Sequence, residues 1–288
     1  MDRLQEHIDK QIRFNEGKNL FYETLDESMK FAESTIDLIR NLDNIPRENI
    51  EMLIDYTTEK VLQEFCRVNQ YLSFKDADKS NLRKIYVQLF EEICRKKTPM
   101  DVISRNHYQH LKSWLQKTNS FLQDIYREKD QALEPVVCSE YSADLQKSIF
   151  CLDRHVLSAP ILDIGCGKEC HLVKSLRKEG LETYGIDRFS NELPYIEKTN
   201  WLEYDYGNQK WGTIISHLGF SNHFIHHHLR KDGDFIGYAK KYMDILNGLK
   251  TGGCFYYAPD LPFIEAYLDP EKFSVTKSSG MSMIKRLK

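Results

Sequence analysis

Three short stretches in the second half of the chain carry residue types at spacings that could do chemistry. The first is Asp163-Ile164-Gly165-Cys166-Gly167, closing an apolar run that begins at Pro160. Glycines in a tight turn let backbone amides approach a ligand with no side chain in the way, and the acid before them places negative charge at the same spot. That charge is wrong for a pyrophosphate, and Cys170 takes the last position of a GxGxxG dinucleotide fingerprint. An acid beside the glycines suits a ligand carrying an ammonium and a sulfonium group. The second stretch, Gly185-Ile186-Asp187, ends another apolar run, where an acid can accept hydrogen bonds from both hydroxyls of a ribose. The third, Tyr204-Asp205-Tyr206, offers a carboxylate for the exocyclic amine of adenine and a ring to cover its face. DxGxG alone occurs by chance in many chains. Three strand ends bearing acid-glycine, acid and acid in that order form a specific pattern.

A fourth cluster is histidine-rich. Five of the ten histidines lie between 217 and 228, four of them in Ser221-Asn222-His223-Phe224-Ile225-His226-His227-His228. One reading is a solvated polar loop. Another makes His223 or His226 a general base, since imidazole titrates near neutrality and needs little tuning. Phe224-Ile225 would then anchor the segment and turn one imidazole inward, leaving His227 and His228 in solvent. A metal site is the third reading, because His223 and His227 are four apart, but no third ligand is identifiable and no metal is assigned. Asp260, in Ala258-Pro259-Asp260-Leu261-Pro262, borders a substrate pocket or belongs to a rigid turn. Tyr256, Tyr257 and Phe263 read as core.

These residues need a frame that brings strand ends together. From Pro160 onward short apolar runs alternate with helical ones: PILDIG, a helix from about Cys170 to Glu179, LETYGID, WLEYD, GTIISHL, a helix from Phe235 to Leu249, and CFYYAP. That alternation predicts an α/β fold with an open parallel sheet and right-handed crossovers. Phe273–Thr276 and Met281–Ile284, joined through Ser278-Ser279-Gly280, predict an antiparallel hairpin at the sheet edge. Ser142–Leu157 reads as one helix with Leu145, Ile149, Leu152 and Val156 inward.

The first half has a different period. Ile50, Leu53, Ile54, Thr57, Val61, Leu62, Phe65 and Val68 recur at three and four, as do Leu82, Ile85, Tyr86, Leu89, Phe90 and Ile93. Tyr108, Leu111, Trp114, Leu115, Phe121, Leu122 and Ile125 make a third stripe, and Leu25, Met29, Ile36 and Ile39 an earlier one. Breaks fall at Pro46, Ser73 to Ser80 and Thr98-Pro99. The expected organisation is an all-helical domain over 1–133, a linker beginning at Glu134-Pro135, and a second domain over 134–288.

The chain has 288 residues and a formal charge of -3, with no basic block, so the electrostatic footprint of most nucleic-acid binders is missing. Hydrophobic residues at 41% and charged residues at 29% argue against disorder, and no run is apolar enough to span a bilayer. The opening MDRLQEHIDK lacks the apolar core of a secretion signal, so a cytoplasmic protein without a membrane partner is expected. Seven cysteines without a CxxC pair suggest buried reduced thiols.

With these motifs in place, residues 160–288 resemble a class I S-adenosylmethionine-dependent methyltransferase. The resemblance implies a Rossmann-like sheet and S-adenosyl-L-methionine as cofactor. It implies that Asp163, Gly165 and Gly167, with Cys166 between them, hold the methionine end. Asp187, with Arg188 beside it, would take the ribose, Asp205 and Tyr206 the adenine, and Ser216-His217 would line the methionine side. Tyr141 and Gln146 resemble the pre-motif lid of some small-molecule methyltransferases, so Tyr141, Asn222 and Asp260 are the substrate-side candidates. Many members carry a third glycine where this chain has Glu169. The implied reaction is in-line attack of a small-molecule oxygen, nitrogen or carbon on the sulfonium methyl, which the protein serves mainly by alignment. The helical domain would cap the substrate site or form a homodimer, and the short linker favours a roof. A protein or RNA acceptor docked on the helical domain, or a non-catalytic cofactor-binding module, are the alternatives. The Asn-Pro-Pro-aromatic signature of amino-methylating nucleic-acid enzymes does not follow the fourth strand, and the cysteine signature of base-carbon methylation is also missing.

Overall fold

The structure is a computed structural model that describes residues 2–21, 29–40, 46–126, 140–153, 155–191 and 193–288. The chain divides into two compact units, Met1–Cys138 and Ser139–Lys288. The linker read at Glu134-Pro135 and Leu25 of the earliest stripe lie outside the described residues.

The first unit contains helices α1 (Asp2–Phe14), α2 (Glu33–Arg40), α3 (Arg47–Val68), α4 (Asp76–Arg95), α5 (Met100–Thr118) and α6 (Phe121–Tyr126). Pro46 and Pro99 stand at the N-caps of α3 and α5, where a missing N–H costs nothing. Leu82, Tyr86, Leu89 and Ile93 are the buried stripe of α4, and Ile103, His107, Leu111 and Trp114 run along the buried face of α5. The third stripe is continuous by period, yet the chain leaves the helix at Asn119. Its side chain donates to Ser73 O at 3.2 Å and accepts from Ser73 N at 3.3 Å, and this two-way tie to the preceding loop separates α5 from α6. Among the described residues no helix is long and apolar enough to cross a membrane.

The second unit is a seven-stranded sheet with helices. Its elements are α7 (Ala143–Phe150), β1 (Ile161–Ile164), α8 (His171–Lys178), β2 (Thr183–Asp187), β3 (Ile196–Lys198), β4 (Trp211–His217), α9 (Phe220–Leu229), α10 (Phe235–Gly248), β5 (Leu249–Ala258), α11 (Pro262–Glu265), β6 (Phe273–Ser278) and β7 (Met281–Arg286). The spatial order is β3-β2-β1-β4-β5-β7-β6. β1 pairs in parallel with β2 and β4, β4 with β5, while β7 runs antiparallel to β5 and β6. This is a Rossmann-like sheet, parallel from β3 to β5 and completed by an antiparallel hairpin, and a helical unit precedes it in the chain. Ile161, Leu162, Ile164, Ile214 and Ile215 are wholly buried, because a parallel strand is covered on both faces.

Four readings need correction. The third strand is Ile196–Lys198, with Asp187 opposite Lys198, and not Trp201–Asp205. Asn200 Oδ1 accepts the Leu202 amide at 3.0 Å and Asn200 O accepts those of Glu203 and Tyr204, so an Asx turn bends a segment whose composition is strand-like. The helix expected over Ser142–Leu157 stops at Phe150, where Cys151 turns left-handed at φ 50. Its buried face is Gln146 and Phe150, while Leu145 and Val156 are exposed at 45% and 52%. Residues 221–228 belong to helix α9 and do not form a loop.

Candidate active site

The site is built where β1 and β2 end side by side, Asp163 opposite Gly185. Gly165 and Gly167 both hold φ +75, which a Cβ would strain, and Gly165 N donates to Ile186 O at 2.8 Å, tying the turn to β2. Cys170, at the position of the last fingerprint glycine, adopts the same left-handed conformation at φ 53. Asp163 is buried, and its Oδ2 has no hydrogen-bond partner among the described residues. Burial, reinforced by the charge of Asp187, pushes its carboxyl up from 3.8 to about 7.

Asp187 stands at the end of β2 with both oxygens engaged. Oδ2 accepts from Gly167 N at 3.2 Å and Oδ1 from Phe189 N at 2.7 Å. Burial raises its carboxyl, and the Phe189 amide, Arg188 and the Gly167 amide work against that rise. A carboxylate oxygen has two lone pairs, so each can still accept a hydroxyl. The charge of Arg188 adds to the burial that lowers His223, and at Tyr238, which burial raises, it acts in the opposite direction. Cys166 Sγ lies 3.7 Å from Cys170 Sγ, and both side chains are buried.

At the end of β4, Ser216 is committed to structure. Its hydroxyl donates to Ile164 O at 3.0 Å and accepts from Phe220 N at 3.2 Å, joining β4 to β1 and opening α9. His217 is half-buried against the edges of Tyr141 and Phe150, with centroids 4.8 and 5.7 Å away, and burial lowers its pKa. Tyr141 and His217 are thus brought together.

Asp205 and Tyr206 are placed differently from the sequence reading. Asp205 is exposed in a turn and accepts from Gly207 N at 2.9 Å. Tyr206 is buried in the hydrophobic core, donating to Trp201 O at 3.1 Å while its carbonyl accepts from Trp211 Nε1 at 3.0 Å. Its ring is packed inside the core and is not free to cover an adenine.

Two residues that sequence reasoning missed stand at the glycine turn. The Trp201 ring lies 3.3 Å from where a Gly165 Cβ would be, so glycine is needed there for the ring to seat. Glu140 accepts from Lys168 N at 2.7 Å and Glu169 N at 3.3 Å, and its carboxyl group covers Gly167. Both contacts span many residues and leave no signal in local spacing.

Helix α9 sorts the histidines. His223 is buried, edge-on to Trp201 at 4.8 Å, with Nδ1 3.5 Å from the Tyr238 hydroxyl. Burial, then the charge of Arg188, holds its pKa well below 6.5 and keeps the imidazole neutral. His226 Nε2 lies 3.1 Å from the Arg230 guanidinium, and burial followed by that charge lowers it to about 4. His227 is not in solvent: it stacks on Tyr238 at 4.6 Å, and its Nδ1 accepts from Asp234 N at 3.0 Å. His228 is exposed, with one face on Phe263 at 3.9 Å. Asn222 is half-buried beside His223 in the chain. Asp260 is held toward the hairpin, its amide donating to Gly280 O and its carboxylate 3.6 Å from Lys277. Among the described residues no group of three or more His, Cys, Asp or Glu could hold a metal ion.

No family model matches the chain, and no curated protein matches it. Solved structures do. A TehB-like S-adenosylmethionine-dependent methyltransferase from Corynebacterium glutamicum is 12% identical, with 62% of this chain and 98% of that one covered and a TM-score of 0.35. The N-methyltransferase NodS from Bradyrhizobium japonicum is 12% identical, with coverages of 50% and 92% and a TM-score of 0.33. The 4+2 cyclase SpnF is 14% identical over 47% of this chain, with a TM-score of 0.33, and the chain spans 57% of its length.

Proposed function

We propose that Ser139–Lys288 binds S-adenosyl-L-methionine at the ends of β1, β2 and β4, and that the protein transfers its methyl group to a small-molecule acceptor. The observation that carries this reading is Asp163. A buried carboxylate with an unpartnered oxygen beside two left-handed glycines is costly unless a cation completes it. The ammonium of a methionine moiety is such a cation. Asp187 would hold the ribose hydroxyls with its remaining lone pairs, and the turn at Gly165 and Gly167 would let the backbone approach the ligand. When bound, the cofactor supplies a methyl already activated as a sulfonium.

The remaining chemistry falls to the chain's own residues. Trp201, its ring against Gly165 and edge-on to His223, would exclude water from that side of the glycine turn. His223 is neutral and therefore able to take the proton of an acceptor hydroxyl or amine. His226, beside Arg230, is the second candidate. Tyr141 and Asn222 would face the acceptor.

The test is partition of label. The full chain is incubated with methyl-tritiated S-adenosylmethionine and a cell extract, and transferred label is measured in the small-molecule, protein and RNA fractions. Enzyme-dependent label in the small-molecule fraction supports the reading. Label confined to protein or RNA overturns the acceptor class, and no transfer to any fraction overturns the activity.

A further inference from the structure

The helical unit holds a cavity of about 200 Å³ between α1, α2, α3, α4 and α5. Its wall is overwhelmingly apolar, with Ile8 from α1, Val61 from α3, Leu89 from α4 and Leu111 from α5 among the lining residues. An apolar cavity of about 150 Å³ accommodates benzene. This one therefore suits a molecule only slightly larger.

The wall is not apolar throughout. His7 Nδ1, Thr35 Oγ1 and His107 Nδ1 are buried without a hydrogen-bond partner among the described residues, and all three side chains line this cavity. They come from α1, α2 and α5. His107 is 6% exposed and is hemmed by the rings of Phe31, Tyr86 and Tyr108 at 5.9, 5.2 and 5.2 Å. Buried polar groups are nearly always satisfied, because an unsatisfied one has lost its water without gaining a partner. Three such atoms around one apolar hole are the pattern of a ligand pocket, where apolar wall supplies affinity and a few polar groups fix orientation. Burial lowers His107 to about 3, so it presents a neutral imidazole to the cavity.

We infer that the helical unit is a binding site for a compact, uncharged, apolar molecule of about eight to ten non-hydrogen atoms carrying one hydrogen-bonding group, of the alkylphenol class. The apolar body fills the space between the helices, and the polar group meets His107. Two charged side chains, Lys18 and Glu64, also line the cavity, and with the rest of the wall largely apolar an uncharged ligand loses less hydration on entry than an ion would. This site is independent of the proposed methyl transfer, and a chain that takes the phenol without binding S-adenosylmethionine would separate the two.

The experiment titrates the full chain with para-cresol and with para-xylene, which has the same shape but a methyl in place of the hydroxyl, reading affinity by calorimetry. Saturable binding of para-cresol is expected, weakened about tenfold or more in Leu111→Trp, whose added bulk occupies the cavity. Val61→Phe serves as the second filled variant should the first fail to melt cooperatively. His107→Phe should weaken para-cresol by roughly three- to tenfold, the loss of one neutral hydrogen bond, while changing para-xylene by less than about twofold. Absence of saturable binding by either compound overturns the inference. So does unchanged affinity in both filled variants, or equal loss of the two compounds in His107→Phe.

Discussion

Replacing Asp163 by asparagine should make the ligand-free protein more stable, and increasingly so as the pH rises. In the wild type, burial and the neighbouring Asp187 push the Asp163 carboxyl from 3.8 to about 7. A group that holds its proton more tightly in the folded than in the unfolded chain contributes stability that is complete below about 3.8 and lost as the pH rises through about 7. The window spans about three pH units at ~1.4 kcal/mol each, so the ionised carboxylate costs about 4 kcal/mol at pH 8, of which under half is already lost at pH 5. Asp163→Asn is nearly isosteric and carries no charge at either pH. Its advantage over the wild type should therefore be about 2.5 kcal/mol larger at pH 8 than at pH 5, roughly 5–10 °C in melting temperature for a unit of this size. Thermal melts of both proteins without ligand, followed by circular dichroism at the two pH values, measure it. The same substitution should weaken S-adenosylmethionine binding, since the charge that destabilises the free fold is the one that meets the ligand's ammonium. A stability difference that does not change between pH 5 and 8, or a variant that loses stability at pH 8, would refute the account of Asp163 as an uncompensated buried acid.

Asp187→Ala should weaken S-adenosylmethionine by about 1.5–3 kcal/mol, or roughly 10- to 150-fold in a calorimetric titration, whereas Asp205→Ala, at an exposed turn, should change it by less than about 1 kcal/mol. His223→Ala should lower turnover by about a hundredfold or more with cofactor affinity nearly unchanged, and wild-type turnover at saturating cofactor should hold on acidification until well below pH 6.5, because burial keeps His223 neutral there. Full turnover in both His223→Ala and His226→Ala would return the histidines to a packing role. Gly185→Ala should cost about 1–3 kcal/mol by chemical denaturation, since the added Cβ would stand 2.8 Å from Cys166 Sγ and 2.8 Å from Ile196 Cδ1. A neutral result there would mean the glycine turn is loosely packed against β2.

Much of this was legible in the sequence, and the failures have physical causes. β1, β2 and β4 were readable because strands covered on both faces are predominantly apolar, and Leu162, Ile186 and Ile214 mark them. The segment from Trp201 to Asp205 shares that composition, but Asn200 captures the Leu202 amide and bends it, an outcome decided by one side chain. That bend is what sends Tyr206 into the core and Trp201 onto Gly165. The histidine helix escaped recognition because its apolar surroundings, Tyr238 and Phe263, arrive from α10 and α11. The left-handed stop at Cys151 was equally hidden, since neither glycine nor asparagine marks it.

The most direct measurement is calorimetric titration of the full chain with S-adenosylmethionine at pH 7 and pH 5. Saturable binding is expected at pH 7. Because the ligand's ammonium meets ionised Asp163, and a carboxyl titrating at about 7 is half ionised at pH 7 but only about 1% ionised at pH 5, affinity should fall roughly fiftyfold between the two. No saturable binding at pH 7 would contradict the cofactor assignment outright, and equal affinity at both pH values would show that Asp163 is not the group that receives the ligand.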